Sequence, residues 1–350
     1  SLSGTLNPVS AASISFPWND ANGDRVVQVN EVTLQRSAVI AFSGNYNPDN
    51  PGFLGTTNTV DPGLKNDRTI EWTGTVDHQV SNKVAVSFSY IYRRYSDFRF
   101  DQRVGISESN WNPTTYQPTG AAAAPSCPQL TYFQPNIGIP GTQRLVNRGG
   151  YTRDFNGIEA VFTKRMSDRW MIDANYAFNN AIDNFASVQG YSATFDPTNL
   201  GIFNGQQYAL EAGGSGIDNV FVNARHLVKL SGVYIAPWDI SLGAFYNYRE
   251  GYLFPQRILS PNRSGAAGAV NLVLEPYGEN RYDALQTFDF RVGKRFVFGR
   301  RSIEASMDVF NVGNINTVLT RNLNQAASTA NQVTGIVAPR ILRFGVRMVF

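Results

Sequence analysis

Much of what an ordinary soluble enzyme uses is scarce or missing here. The 350 residues include a single cysteine, Cys127, so no internal disulfide can staple the chain. Cys127 lies in a Pro-rich stretch without a neighbouring histidine, a poor setting for a nucleophile. Only two histidines occur, His78 and His226. Asp77 precedes His78 directly, and adjacent residues on a strand point to opposite faces, so the two cannot form an orienting pair. Glu159 and Asp173 have no acid–base partner at a telling spacing. No G-x-S-x-G, Walker or G-x-G-x-x-G pattern occurs in a strand-to-helix setting. These absences point away from catalysis, and the expectation is a protein that is not an enzyme.

Other absences bear on class. No run of about 18 apolar residues exists, which excludes transmembrane helices but not membrane strands, whose apolar positions are hidden among polar ones. Charged residues are only 16%, with a net charge of +3, and the Lys and Arg are scattered, so no nucleic-acid surface is expected. The first four residues carry no basic-then-apolar leader. For an outer-membrane protein that pattern suggests a processed chain or a fragment.

What is present is aromatic and alternating. Aromatics reach 13%, with 16 Tyr and 23 Phe, yet mean hydropathy is −0.24. At the carboxyl end Phe350, Met348, Val346, Phe344 and Leu342 alternate with Arg347, Gly345 and Arg343. A period of two marks a strand whose faces meet different surroundings. In water such an end would fray and expose Phe350; in an outer-membrane barrel its apolar row meets lipid. The same signature predicts strands over 68–80, 83–95, 151–164, 169–179, 223–235, 240–249, 285–298 and 302–310. They are joined alternately by short turns and long segments, the habit of bacterial barrels with short periplasmic turns and long extracellular loops.

The expected fold is therefore all-β: the carboxyl part, about 9–10 strands, of a transmembrane antiparallel up-and-down β-barrel. Residues 67–350 supply its strands and loops, and 1–66 an extracellular loop region. Even strand numbers are the rule in such barrels, so an upward strand is expected before residue 1, unless 32–41 supplies it. Tyr90, Tyr92, Tyr176, Phe178, Tyr246 and Tyr248 fit an outer aromatic girdle, and Trp170, Trp238, Phe296 and Phe298 a periplasmic one. Thr69, Glu71, Thr73, Ser87, Ser89, Asp173, Asn175, Asn247, Arg249, Asp289, Arg291, Glu304 and Asp308 should line a wet lumen. Such charges mostly pair across the wall or against a plug.

One motif suggests a metal. Asp20, Asn22 and Asp24 offer side-chain oxygens at alternate positions, Val26 a carbonyl, Gln28 a contact of the kind made through water, and Glu31 a bidentate carboxylate. This is the spacing of an EF-hand calcium loop, except that Arg25 stands where the pattern wants Gly. Millimolar Ca²⁺ outside the cell would fill even a weak site and stiffen the loop. A solvated Asn/Asp turn is the plainer alternative.

Three stretches carry a family resemblance. Asp61-Pro62-Gly63-Leu64-Lys65-Asn66-Asp67-Arg68-Thr69-Ile70-Glu71 resembles the entry into a carboxyl-terminal strand of TonB-dependent outer-membrane transporters. Ser306-Met307-Asp308-Val309-Phe310-Asn311-Val312-Gly313-Asn314 resembles their penultimate strand, and residues 343–350 their last. The flavour is that of the Oar-like group, which carries a carboxypeptidase-regulatory-like domain before the plug. The resemblance implies a barrel of about 22 strands around a plug, in the bacterial outer membrane. It also implies nutrient uptake powered by the TonB complex, with outer-membrane lipid, the plug and an unknown substrate as partners. No plug or TonB-contacting box is visible in the sequence. A self-contained small barrel (adhesin, porin or hydrolase) and a soluble all-β binding module are the rivals. The loops would suit a carbohydrate, a peptide or a metal chelate alike.

Overall fold

The structure is a computed structural model and describes residues 13–43, 47–50, 58–117, 129–184, 206–208, 224–265, 268–275 and 278–350. Nine long strands form one antiparallel sheet in which every neighbour in sequence is a neighbour in space. They are β1 Arg68–Ser81, β2 Val84–Ser96, β3 Thr152–Ser167, β4 Trp170–Asn184, β5 His226–Ala236, β6 Ile240–Arg249, β7 Leu285–Phe298, β8 Arg301–Phe310 and β9 Ile341–Val349. A short segment, Gln206–Tyr208, extends the sheet beside the end of β4. All nine predicted strands are present, with ends shifted by a few residues. Residue 223, where one was predicted to start, lies outside the described residues.

Register sorts the side chains. Val76, Phe88, Ala160 and Tyr176 lie side by side across β1 to β4, and the row continues through Val228 and Tyr248. At the other edge Val292, Met307 and Phe344 make the equivalent row. One residue further along each strand the ladder turns polar: Asp77 beside Ser87, Asn175 beside Lys229, Arg291 beside Asp308. Pairing by period two leaves no choice, because a one-residue slip would exchange the two faces entirely.

The apolar face has no second layer against it. Among the described residues the wall strands pack on their sheet neighbours and on the turn before β6, and Phe344 is 73% and Trp72 70% exposed. A soluble sheet would hide such a face. A lipid-facing sheet shows it. Strands β1 and β9 stand at opposite edges, and the sheet is not closed on itself.

Short turns join the strands at one end. Asp168 and Arg169 both have positive φ, 51° and 71°, the mirror-image two-residue turn that suits the right-handed twist of flanking strands. Lys83 in the neighbouring turn reaches Asp168 at 3.3 Å, and this charge holds the Asp168 carboxyl below its ordinary pKa. Lys164, the cation on the apolar row of β3, bends to this end. Its Nζ donates to the Ser167 carbonyl (3.0 Å), Ser167 Oγ (2.8 Å) and the Trp170 carbonyl (2.9 Å). A long cation in lipid is tolerated when its head reaches the interface in this way.

The predicted girdle residues that lie on strands fall on the apolar face, and Trp238 stands in the turn before β6. At the long-loop end the tyrosine hydroxyls find polar partners: Tyr90 donates to Asn156 Oδ1 at 2.8 Å, Tyr246 to Gln286 Oε1 at 3.2 Å. An apolar ring with a wet tip is the side chain suited to a membrane interface. Residues 32–41, entertained as a further wall strand, form no such thing. They hold a 3₁₀ turn at Arg36–Ala38 and lead into Ala41–Phe42, which among the described residues pairs with Ile14–Ser15 and not with the wall.

If the two faces meet different solvents, Leu230→Arg, beside Ala174 and Tyr246 near mid-strand, should destabilise by about 2–4 kcal/mol. Asn247→Arg on the opposite face should change stability little. Unfolding from lipid vesicles in guanidinium would measure both, and equal losses would refute the two-solvent wall.

Candidate functional site

Two surfaces can meet a solute: the polar face of the wall and the long loops at its outer end. All thirteen polar residues predicted to line the lumen lie on the one polar face. Within it several charges are matched. Arg93 pairs with Glu71 and lies 5.6 Å from the Phe155 ring. Arg153 meets Asp183 at 2.7 Å, with Asp183 almost fully buried. Asp308, also buried, is held between Arg291 at 3.3 Å and Arg343 at 3.0 Å, and Arg291 lies 3.6 Å from Glu304. Alternation placed Glu71, Glu304 and Asp308 on this face but did not single out Asp183, and only the register brings Arg93, Arg153 and Arg343 opposite their acids. Asp289 accepts the Asn311 backbone N–H at 2.8 Å and so fixes the exit of β8.

Among the described residues the long loops carry ladders of their own. Between β2 and β3 there are two, one of which pairs Trp111–Tyr116 with Leu130–Pro135. In the other, Arg99–Arg103 pairs with Gln143–Asn147, and Thr59–Val60 is added in parallel. Asn147 pins this second ladder to the wall: its Nδ2 donates to the carbonyls of Lys65 and Asp97, and its Oδ1 accepts the Lys65 N–H at 2.7 Å. Loop 250–284 contributes the hairpin Arg257–Leu259 with Asn271–Val273.

These two loops share a core. Leu130 and Tyr132 of the first pack with Ile258, Val270 and Leu272 of the second, and Ile258 and Leu272 are wholly buried at 0% exposure. Polar contacts finish the junction. Ser264 donates to the Pro135 carbonyl at 2.7 Å, and Arg263 sits 5.3 Å from the Trp111 ring. Burial lowers the Arg263 pKa. Gly265 has φ +61°, and a Cβ there would meet the Ile137 carbonyl at 2.5 Å. Gly265 therefore marks a close backbone crossing between the two loops. Loop 311–340 joins in turn: Arg257 N–H donates to the Leu323 carbonyl at 3.1 Å and Gln325 N–H returns to Arg257 at 2.9 Å. The outer end therefore carries a folded cap. At its base Tyr151, 4.7 Å from the Phe98 ring, has its hydroxyl pKa pushed up to about 12 by burial, then by the Asp183 charge.

No catalytic constellation assembles among the described residues. His78 faces the apolar side opposite Val86, away from Asp77. His226 Nδ1 is 2.9 Å from the Tyr176 hydroxyl, at the outer rim of the same apolar face. Cys127 lies outside the described residues.

The 20–31 segment is a self-bonded loop. Asp20 accepts the N–H of Gly23 (2.8 Å) and Arg25 (3.0 Å), and Asp24 accepts that of Val26 (2.7 Å) and the Gln28 amide (2.8 Å). Asn22 accepts the Asp24 N–H at 3.0 Å. Glu31 is buried and accepts Trp18 Nε1 at 3.0 Å and the Ala21 N–H at 3.2 Å. The Trp18 bond does most to hold its carboxyl below the ordinary pKa. Arg25 takes φ 60°, the left-handed conformation for which the calcium pattern employs Gly. Among the described residues no three acidic, His or Cys groups cluster closely enough to hold a metal.

A family profile described as "Outer membrane beta barrel domain" matches residues 5–244, more than half of the chain. The chain belongs to that family. It is accordingly a protein of the bacterial outer membrane. No curated protein matches it. Among solved structures it is similar to the ferripyoverdine receptor of the outer membrane of Pseudomonas aeruginosa, with 11% identity, TM-score 0.42, and coverage of 81% of this chain and 27% of that one. The outer membrane transporter YddB from Escherichia coli gives 14% identity and TM-score 0.44, over 83% of this chain and 34% of that one. The FrpB iron transporter from Neisseria meningitidis gives 13% and 0.40, over 84% and 33%. The chain thus spans about a third or less of the solved chains it matches.

Cutting into the shared loop core should loosen the cap alone. Leu272→Ala should cost the cap about 2–5 kcal/mol, seen as faster hydrogen exchange over Leu130–Pro135 with Trp170–Asn184 unchanged. Unaltered exchange at Leu130–Pro135 would show that the loops do not depend on a common core.

Proposed function

We propose that this barrel domain is part of the wall and outer binding surface of an energy-coupled outer-membrane receptor, a transporter of the TonB-dependent kind, and is not an enzyme. The observation that carries the reading is a charged wall face, with no element packed on it among the described residues, topped by a cap of interlocked loops. The motif resemblance at residues 61–71, 306–314 and 343–350 supports the same reading. So does the physics of the sheet edges. Unpaired backbone groups in hydrocarbon cost several kcal/mol each, so β1 and β9 require further strands beside them. A wider barrel, with a plug in its lumen, supplies both the missing partners and an occupant for the charged face. A small self-contained barrel would need β1 to meet β9, which the sheet does not do.

In this mechanism the cap and the plug apex capture a solute from outside. TonB, driven by the proton motive force, then displaces the plug, and the solute passes along the polar face. Cells carrying the full-length protein should lose at least about 90% of solute uptake on addition of a proton uncoupler or deletion of TonB, while surface binding persists. Uptake that survives both treatments would mark a passive channel instead.

The 20–31 loop adds a second element to this reading. It takes Ca²⁺ through Asp20, Asn22, Asp24, Val26, Gln28 and Glu31, exchanging the internal N–H bonds of Asp20 and Asp24 for the ion. Arg25 already in the left-handed conformation favours it, since that strain need not be imposed on binding. Extracellular modules of this type bind at about 10⁻⁴–10⁻³ M. Calorimetry with millimolar Ca²⁺ should give heat that Asp20→Ala abolishes; no heat and no shift in melting would eliminate the site.

A further inference from the structure

The charged side chains of the apolar, lipid-facing rows differ between the two ends of the wall. At the outer end Arg68 and Arg94 each have an acid beside them, Asp97 at 3.5 Å and Asp154 at 3.7 Å. At the short-turn end the rows carry Lys164 beside Val84 and Ile172, Lys294 beside Ile240 and Ala305, and Arg301 beside Phe298. Among the described residues no carboxylate shares the rows in that half of the strands. The turns, and the bulge after Lys164, add Lys83, Arg165, Arg169 and Arg300 against Asp168 and Asp239. Lys83 is already matched by Asp168. The surplus at this end is positive.

These cations are not equally committed. A lysine ammonium has three N–H donors. Lys164 spends its own on Ser167 and Trp170. Lys294, among the described residues, donates to the Trp238 carbonyl and to nothing else, which leaves two N–H for an outside acceptor. Arg300 and Arg301 are exposed, with no carboxylate within ion-pairing distance among the described residues. Rings surround this group: Phe296 lies 5.7 Å from the Lys294 ammonium, and Phe298 is paired with Arg301. Trp238 takes φ 63° and Asp239 φ 55°, a turn that favours Asn-Gly. A bulky residue is strained there, yet Trp238 is 79% exposed and recovers little by packing on its own chain.

We propose that this end of the wall binds anionic phospholipid of the inner leaflet. Lys294 and Arg301 anchor the headgroup phosphate, Arg300 adds charge, and Trp238, Phe296 and Phe298 rest in the interface below it. Short turns face the periplasm in barrels of this kind, so the inner leaflet is the layer these side chains meet. Phosphate oxygens supply the acceptors that Lys294 lacks, in charge-assisted hydrogen bonds. Basic side chains at a membrane surface draw anionic lipid, and aromatic rings settle at headgroup level. A free phosphate would answer the cations but leave the rings in water. A phospholipid answers both. The inference rests on the membrane placing of the wall and not on energy coupling.

Native mass spectrometry of the full-length protein in detergent tests it, with phosphatidylglycerol and phosphatidylcholine of the same acyl chains as probes. Wild type should retain phosphatidylglycerol in preference. Lys294→Gln with Arg301→Gln should weaken that retention about tenfold and leave phosphatidylcholine unchanged. Arg68→Gln with Arg94→Gln, at the outer end, is the control and should behave as wild type. Heat-dependent migration on gels verifies that each variant is folded. A wild type without preference, or a folded Lys294/Arg301 variant that keeps it, would overturn the proposal. An equal loss in the control would overturn it too, since net charge would then suffice. Displacement of the lipid by millimolar inorganic phosphate would show an anion site and not a lipid site.

Discussion

The whole wall depends on backbone hydrogen bonds that have no substitute. In hydrocarbon there is no water to receive an unpaired N–H or C=O, so each strand must be bonded along its length to both neighbours. Once that ladder is laid down, side chains have only two directions to take. The sequence then assigns them: the same residues that make Phe344 and Val346 a lipid surface make Arg343 and Arg347 a water surface. Stability and function are thus divided between alternate residues of the same strands. Little of the wall has a dry interior, and its buried groups include Asp183 and Asp308, each held by arginine.

The loops obey the opposite rule. Outside the bilayer a chain must bury apolar surface to stay ordered, and there lie the two large side chains that are fully buried among the described residues, Ile258 and Leu272. A cap built this way is an ordinary small globular body set on a membrane scaffold. Asn147 and the Asp61–Arg144 contact at 3.0 Å tie it to the point where β1 begins.

How far the residues foretold this varies with physics. Period-two alternation is a strong signal, and every wall strand and the placing of Thr69 to Asp308 on one face were legible from it. Strand ends were less so, because β4 runs on to Asn184 through Asn180-Ala181-Ile182-Asp183, which carry no clear alternation. The cap was not legible: Ile258-Leu259 and Leu272-Val273-Leu274 are short apolar pieces in a stretch rich in Gly, Pro and Asn, paired with each other and joined to Leu130 only across more than a hundred positions. The partners of Asp183 and Asp308 were hidden for the same reason, since register, not spacing, puts Arg153 and Arg343 beside them. The calcium spacing was plain to see, but backbone N–H groups compete for the same oxygens, and no residue pattern reports which wins.

The shared core beneath the outer loops has a meaning for the cell surface. Here Leu130 and Tyr132 sit in one loop and Ile258 and Leu272 in another, interlocked at one seam. A change of side-chain volume on one side of that seam is therefore felt on the other, so the two loops are tied to each other in what they can accommodate.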